Sequence, residues 1–294
     1  MARRSVAPMI LIALMLMMGW GTLIDAVKET ESENMIALET EDVVFSASDP
    51  GHVVFSQYIT SDNCGYCYQY GSPAHNKLKT DYPDRYVYIS YQSQSYGDTD
   101  TTRAGNTANY NWPWTASGAP DSYWGDRLDK RASGCGSNTC YDSMFSSGGG
   151  MSAATTSQYS MGAGVSASGS NLIITVTSQY VGSTTPPTNI YLYAALTEET
   201  CNSYPYSNGY KGHNCWKSWL TSGGTYKSQS SGSGSSFESV SLGGGNQVSF
   251  SWTVPASLVS GGVNNAMVVA ALMTGSPSTG ASNEHTLSAI DSSM

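Results

Sequence analysis

The feature that most constrains this chain is a pair of cysteines, Cys64 and Cys67, that follows the apolar run at residues 53–55. Two cysteines separated by two residues can close a small disulfide ring, and they can open it to exchange disulfides with another protein. If a strand leads into the pair and a helix leads out, the pair is a redox centre. Otherwise it is one structural disulfide among several.

The sequence contains six cysteines, an even number that is typical of disulfide-bonded proteins outside the cytoplasm. Many connectivities are possible, and local pairing is the simplest. The predicted disulfides are Cys64–Cys67, Cys135–Cys140 and Cys201–Cys215. Two other interpretations of the first pair stay open: a static disulfide, or half of a zinc site completed by the second pair, which an oxidising compartment disfavours.

Composition narrows the class of protein. The chain has 294 residues, enough for two domains with separate cores. Only 12% of the residues are charged and the net charge is -9, which argues against a nucleic-acid-binding protein, since such proteins carry a basic surface. Tyrosine is frequent, with 20 residues against 5 phenylalanines, and polar turn residues abound. This pattern is typical of extracytoplasmic β-rich proteins.

The N-terminus predicts export from the cytoplasm. Arg3 and Arg4 precede an uncharged run at residues 6–24, which is 19 residues long and close to the ~20 that span a bilayer. Acidic residues follow, so the C-terminal bulk is expected outside, either secreted or held by a single membrane anchor. Residues 1–27 are interpreted as a cleaved signal peptide or an uncleaved anchor, with a buried core helix as the alternative. Residues 28–42 form an acidic tether.

Residues 43–150 are expected to form the first domain. Apolar runs at residues 53–59 and 86–91 predict two strands, and residues 68–79 between them predict a helix. This order is a βαβ unit with the cysteine pair at the N-terminus of the helix. Residues 101–110 are compatible with a further helix.

Residues 151–294 show a different pattern. Runs at residues 172–177, 190–196, 248–254 and 266–272 predict strands, several with alternating apolar and polar positions. Turns rich in serine, glycine and proline separate them. The second half is therefore expected to be an all-β sandwich.

The cysteine pair can perform dithiol exchange without any cofactor. At a helix N-terminus, backbone N–H groups and the helix dipole stabilise a thiolate. Cys64 is expected to attack a disulfide and Cys67 to resolve the mixed disulfide, while Gly65 and Tyr66 tune the redox potential. His75, eight residues after Cys67, is expected to face solvent. No metal site is expected, because the four histidines have no metal-ligand spacing: His52, His75, His213 and His285.

Residues 53–67 with the following helix, residues 86–91 and the Gly-Ala-Pro segment that ends at Pro120 resemble the thioredoxin-like superfamily. The resemblance implies an α/β thioredoxin-like domain in which Pro120 is the cis-proline that faces the cysteine pair. It also implies that Pro120, Ala119 and Tyr66 contact the substrate.

Over residues 43–294 the chain is similar to the Omp-twenty-eight-type surface proteins, in which a thioredoxin-like domain precedes a β-sandwich. Residues 191–199, 212–214 and 266–272 are similar to sandwich segments of that family. The resemblance implies an immunoglobulin-like sandwich in the second half.

The sequence departs from the thioredoxin pattern in three places. Tyr58 stands six residues before Cys64, where thioredoxins commonly keep a buried acid, so the sequence names no proton acceptor. The helix proline, Pro73, lies one residue later than in thioredoxin. Residues 121–126 are more polar than a central strand.

The leading hypothesis is an extracytoplasmic thiol–disulfide oxidoreductase that acts on protein disulfides through Cys64 and Cys67. Its partners would be a protein substrate and a redox partner, and it would need neither cofactor nor nucleic acid. The alternative is a non-enzymatic surface binding or adhesion protein in which all three disulfides are structural.

Overall fold

A computed structural model describes residues 53–93, 119–124, 126–131, 135–148, 158–228, 237–274 and 286–293. These residues belong to one compact unit. The predicted N-terminal segments at residues 1–27 and 28–42, the apolar run at residues 6–24 and the helix expected at residues 101–110 lie outside the described residues.

The described residues contain thirteen strands, two α-helices and several shorter helical turns. The strands are β1 (Val54–Ser61), β2 (Tyr86–Ser93), β3 (Asp121–Trp124), β4 (Asp126–Arg131), β5 (Tyr159–Ser168), β6 (Asn171–Tyr180), β7 (Ile190–Thr200), β8 (His213–Thr221), β9 (Thr225–Ser228), β10 (Glu238–Val240), β11 (Val248–Pro255), β12 (Ala266–Thr274) and β13 (Thr286–Asp291). The helices are α1 (Ser72–Asp81) and α2 (Asn138–Ser143), with π-helical turns at Cys67–Gly71 and Met144–Gly148 and 3₁₀ turns at Ser222–Gly224, Gly243–Gly245, Ala256–Leu258 and Gly262–Asn265.

Ten of the strands form one mixed sheet, in the order β13-β12-β7-β8-β2-β1-β3-β4, with β10 beside β7 and β9 beside β8. β1 pairs with β2 in parallel and with β3 antiparallel. β2 continues into the second half of the chain through a parallel bridge between Ser90 and Cys215 of β8. The other three strands form a separate sheet in the order β11-β6-β5.

The predicted fold class, an α/β thioredoxin-like domain followed by an all-β immunoglobulin-like sandwich, is wrong. The described residues are 51% strand and 22% helix, and a thioredoxin-type α/β domain is not evident. Strands β7, β8, β12 and β13 extend the same sheet that holds β1 and β2. Apolar patterns locate strands, but they do not say which strands pair across a long stretch of sequence. The boundary expected near residue 150 stays a prediction, because residues 149–157 lie outside the described residues.

Different elements cover the two ends of one face of the large sheet. Over β7 and β12, the three-stranded sheet packs against buried residues such as Leu196 and Leu272. Over β1, β2 and β3, the helices cover an aromatic cluster that includes Tyr86 and Trp124. β13 contacts β1 although four strands separate the two in the hydrogen-bonded order, so the sheet curls around a shared core on its opposite face.

The βαβ unit places the cysteine pair at the start of the helical segment. β1 ends at Ser61, and the chain turns helical just after Cys64. The π-helical turn at Cys67–Gly71 comes just before Pro73, which has no N–H to bond the carbonyl four residues earlier. Gly71 is required in this turn, since a Cβ there would collide with the hydroxyl of Tyr58. Helix α1 then packs on β1 and β2.

Candidate redox site

The site is built on a disulfide between Cys64 and Cys67, whose Cα atoms are 5.2 Å apart. The backbone N–H of Cys67 donates to Cys64 Sγ over 3.2 Å. A hydrogen bond to sulfur favours its charged form, so in the reduced protein this N–H would stabilise a thiolate at Cys64. The two sulfurs of the disulfide therefore differ, since Cys64 Sγ accepts a main-chain hydrogen bond from Cys67.

The proline segment lies against the first cysteine. The carbonyl oxygen of Ala119 is 3.4 Å from Cys64 Sγ, and the Ala119–Pro120 peptide bond is cis. Strand β3 begins at the next residue, Asp121, and its first pair with β1 is Ile59. The structure therefore brings together Cys64, Cys67, Ala119 and Pro120 from two distant parts of the chain.

Tyr66 lies between the two cysteines in sequence and is 58% exposed. Its ring stacks on Tyr70, with 6.0 Å between the ring centroids. Asn63, on the other side of Cys64, is also exposed. The turn that carries the disulfide is therefore at the surface of the molecule.

Cys64 itself is nevertheless only 3% exposed. A small cluster buries it, formed with Ala119 and with three tyrosines: Tyr68, Tyr206 and Tyr210. The latter two belong to the loop that the Cys201–Cys215 disulfide closes. A sulfur in dithiol exchange must be reachable and must lie near the proline segment; the structure meets the second condition and, in this state, not the first.

Tyr58 lies six residues before Cys64, at the position where an acid was expected and is absent. It is fully buried behind Cys67, and its hydroxyl donates to the carbonyl oxygen of Cys67 over 3.3 Å. Burial is the largest cause that raises the pKa of Tyr58 well above its usual value, followed by the neighbouring Tyr206 and Tyr141. Tyr58 is therefore a neutral donor at neutral pH and cannot accept the proton of a cysteine.

The expectation that His75 faces solvent is wrong. The helix turns this side chain inward, where it is fully buried and stacks on the rings of Tyr88 and Trp124 at 5.2 Å. Its Nδ1 contacts the Tyr86 hydroxyl. Burial lowers the pKa of His75 to about 3, so the ring stays neutral. Spacing from Cys67 could not reveal this, because it does not show which face of the helix packs on the sheet.

The other two disulfides lie in different settings. Cys135–Cys140 spans the start of α2 beside the aromatic cluster, and Cys201–Cys215 joins the chain after β7 to β8. Since the first and second pairs are both disulfides, neither offers the thiolates that a zinc site needs. Within the described part of the chain, no group of three or more potential ligands is arranged for a metal ion.

The sequence did not indicate Tyr206, which covers Cys64, or Thr60, whose hydroxyl oxygen is 2.7 Å from that of Tyr206. One signal for Tyr206 was present: three tyrosines, Tyr204, Tyr206 and Tyr210, lie within one cysteine-bounded loop. Trp124, four residues after Pro120, is fully buried in the core.

A scan against protein-family models, a search of curated proteins and a search of solved structures each found no match to this chain. The fold and the site therefore define the protein directly: it is β-rich and carries three disulfides, one of them a covered Cys-x-x-Cys pair. Three disulfides fit an extracellular location. Among the described helices, none is both long and apolar enough to cross a membrane.

Proposed function

We propose that this protein is an extracytoplasmic thiol–disulfide oxidoreductase that acts on other proteins through Cys64 and Cys67. The observation that carries the proposal is the hydrogen bond from the Cys67 N–H to Cys64 Sγ, beside the Ala119 carbonyl. This arrangement distinguishes the two sulfurs, because a main-chain donor favours negative charge on Cys64. It needs no cofactor.

The exchange starting from the disulfide form proceeds in two steps. A thiolate of the partner protein attacks Cys64 Sγ, the bond to Cys67 breaks, and the Cys67 sulfur leaves and takes up a proton. The partner's second thiolate then attacks the partner sulfur in the mixed disulfide and releases Cys64 as a thiolate. The partner dithiol has lost two electrons and the Cys64–Cys67 disulfide has gained them. Reduction of a partner disulfide is the same sequence in reverse.

The proposed location outside the cytoplasm rests on the disulfides. We infer a protein that is secreted, or anchored through residues 6–24, with its C-terminal bulk outside the membrane. In that setting the expected partners are a protein that carries a dithiol or disulfide and a protein that recycles the pair.

A second candidate is a non-enzymatic surface binding or adhesion protein in which all three disulfides are structural. The low exposure of Cys64, 3%, favours it, because a covered disulfide exchanges slowly. The neutral Tyr58 in the place of an acid points the same way.

Insulin reduction by dithiothreitol separates the two candidates. The oxidoreductase should accelerate it, Cys64→Ser should abolish the acceleration, and Cys67→Ser should trap a mixed disulfide with insulin that mass spectrometry detects. The double variant Cys135→Ser/Cys140→Ser is the control, since it removes another local disulfide and leaves Cys64 and Cys67 intact. The proposal is overturned if no acceleration depends on Cys64, either in the unaltered protein or in variants whose Cys64–Cys67 disulfide is exposed to solvent.

A further inference from the structure

We propose that the tip of the loop closed by Cys201–Cys215 is a lid over the Cys64–Cys67 disulfide, with Tyr206 as its plug. The inference rests on the proposed function and concerns the regulation of the same site. The disulfide turn is at the surface, with Asn63 exposed on one side of Cys64. Cys64 is buried because side chains lie over it, and not because it lies deep in the fold.

The loop is buried at one point only along its tip. Between residues 202 and 211 every residue is partly or fully exposed except Tyr206, which is 2% exposed. Its ring belongs to the cluster around Cys64 and Cys67 and meets the ring of Tyr68 edge-on at 6.0 Å. Tyr206 is thus the one fully buried side chain that this segment contributes to the cluster in front of the disulfide.

Two hydrogen bonds hold the tip to the segment that leads into Cys64. The hydroxyls of Tyr206 and Thr60 are 2.7 Å apart, and the Ser207 N–H donates to the Asp62 carbonyl over 2.8 Å. Asp62 is two residues before Cys64. The lid is therefore attached to the end of β1 and to the turn that leads into Cys64.

The base of the loop is fixed much more firmly than the tip. The Cys201–Cys215 disulfide closes it, and the Cys201 N–H donates to the Gly212 carbonyl over 2.9 Å. On the side of β7, the buried carboxylate of Glu198 accepts the Ser203 N–H over 3.0 Å. A firm base, and a tip that buries only Tyr206 among residues 202–211, allow local opening without unfolding of the sheet.

Reaction at Cys64 then requires the open form of the lid. A disulfide that reacts only when uncovered has an apparent rate reduced by the open fraction, so a change that favours opening raises the rate in proportion. The lid would keep the pair inert toward small thiols until a partner protein displaces Tyr206. This assigns a regulatory role to a loop whose disulfide is itself structural.

Chemical access to the pair tests the lid without relying on turnover. The oxidised protein is exposed to dithiothreitol for graded times and quenched with N-ethylmaleimide, and labelling of Cys64 and Cys67 is read by mass spectrometry of peptides. Tyr206→Ala should raise the labelling rate about tenfold or more, because it removes both the ring and its hydroxyl. Tyr206→Phe and Thr60→Val should each raise it less, by about threefold, since each keeps the Tyr206 ring over Cys64 and removes a hydroxyl that helps to hold it.

Tyr204→Ala is the matched control. Tyr204 lies in the same loop, but its ring faces the Lys217 ammonium at 4.3 Å and it is not part of the cluster that buries Cys64. Its labelling rate should match that of the unaltered protein. An unchanged rate in Tyr206→Ala, with the Cys201–Cys215 disulfide intact, would overturn the lid. If Tyr206→Ala does not fold, unchanged rates in both Tyr206→Phe and Thr60→Val would overturn it instead.

Failure of the lid and failure of the proposed function give different results. Faster labelling in Tyr206→Ala without insulin turnover keeps the lid and contradicts the oxidoreductase. Turnover that depends on Cys64, with the same labelling rate in all tyrosine variants, keeps the oxidoreductase and contradicts the lid.

Discussion

The disulfides Cys64–Cys67 and Cys201–Cys215 are both almost fully buried, yet their surroundings differ in kind. Cys215 lies within β8 and pairs with Glu198 on one side and Ser90 on the other, so hydrogen-bonded strands flank it. Cys64 lies in a surface turn under the tip of a loop. The same low exposure therefore has two origins, since strands flank Cys215 and the tip of a loop covers Cys64.

The two disulfides also differ in what they do for the chain. Cys201–Cys215 closes a separation of 14 residues, whereas Cys64–Cys67 closes one of 3. In the chain-entropy model a longer closed loop stabilises more. Cys201–Cys215 is thus expected to stabilise the fold more than Cys64–Cys67 does.

The largest expected effect is a loss of stability in acid, and it depends on His75, in the helix that follows the Cys64–Cys67 disulfide. Folded His75 stays neutral down to about pH 3, whereas in the unfolded chain its pKa is 6.5. Between these values the unfolded state binds more protons, so stability falls as the pH falls, by about 1.4 kcal/mol for each pH unit. Urea unfolding of the protein and of His75→Phe across this range should show a shallower pH dependence in the variant.

His213, close to the second disulfide, provides the control for the acid experiment. It is only partly buried, and burial lowers its pKa while the Glu199 carbonyl, 3.1 Å from its Nδ1, opposes the shift. His213→Phe should change the pH dependence less than His75→Phe does. Equal changes in the two variants would contradict the contrast between the two environments.

The next effect compares removal of each disulfide. Cys201→Ala/Cys215→Ala should lower the free energy of unfolding by about 3 kcal/mol, and Cys64→Ala/Cys67→Ala by about 2 kcal/mol. Urea denaturation followed by tryptophan fluorescence measures both. A larger loss from the Cys64–Cys67 variant would show that this pair carries the fold, as a structural disulfide does.

Tyr66 gives the smallest effect on stability. Because its side chain is 58% exposed, Tyr66→Ala should change the free energy of unfolding by no more than about 0.5 kcal/mol. It should leave unchanged the rate at which dithiothreitol makes Cys64 and Cys67 available for labelling. It should raise the KM for insulin, because the exposed ring is placed to contact a protein partner. Faster labelling in Tyr66→Ala, with an unchanged KM for insulin, would place Tyr66 in the cover rather than in the substrate contact.

Local features of the fold follow from the sequence. Apolar runs locate β1, β2, β6, β7, β11 and β12, and close spacing of the cysteines matches the three disulfides. The sequence did not indicate β5 or β8. β5 is rich in glycine and serine, and β8 carries His213 and Lys217 among its apolar residues, so neither shows the expected alternation.

Long-range features could not be predicted from the residues alone. The joining of β2 to β8 depends on a single bridge between residues 125 positions apart, and no local pattern encodes it. The cover over Cys64 has the same origin, because Tyr206 reaches Thr60 across the fold. The Cys64–Cys67 pair was therefore visible in the sequence, and its accessibility was not.

The most direct test of the account is a redox titration of both disulfides in the same sample. The protein is equilibrated in dithiothreitol buffers of graded potential, alkylated, and analysed by mass spectrometry for Cys64, Cys67, Cys201 and Cys215. The Cys64–Cys67 disulfide should be reduced above about -300 mV, while Cys201–Cys215 stays oxidised below that potential, as structural disulfides do. Reduction of both disulfides together below about -300 mV, or of Cys201–Cys215 first, would contradict the account.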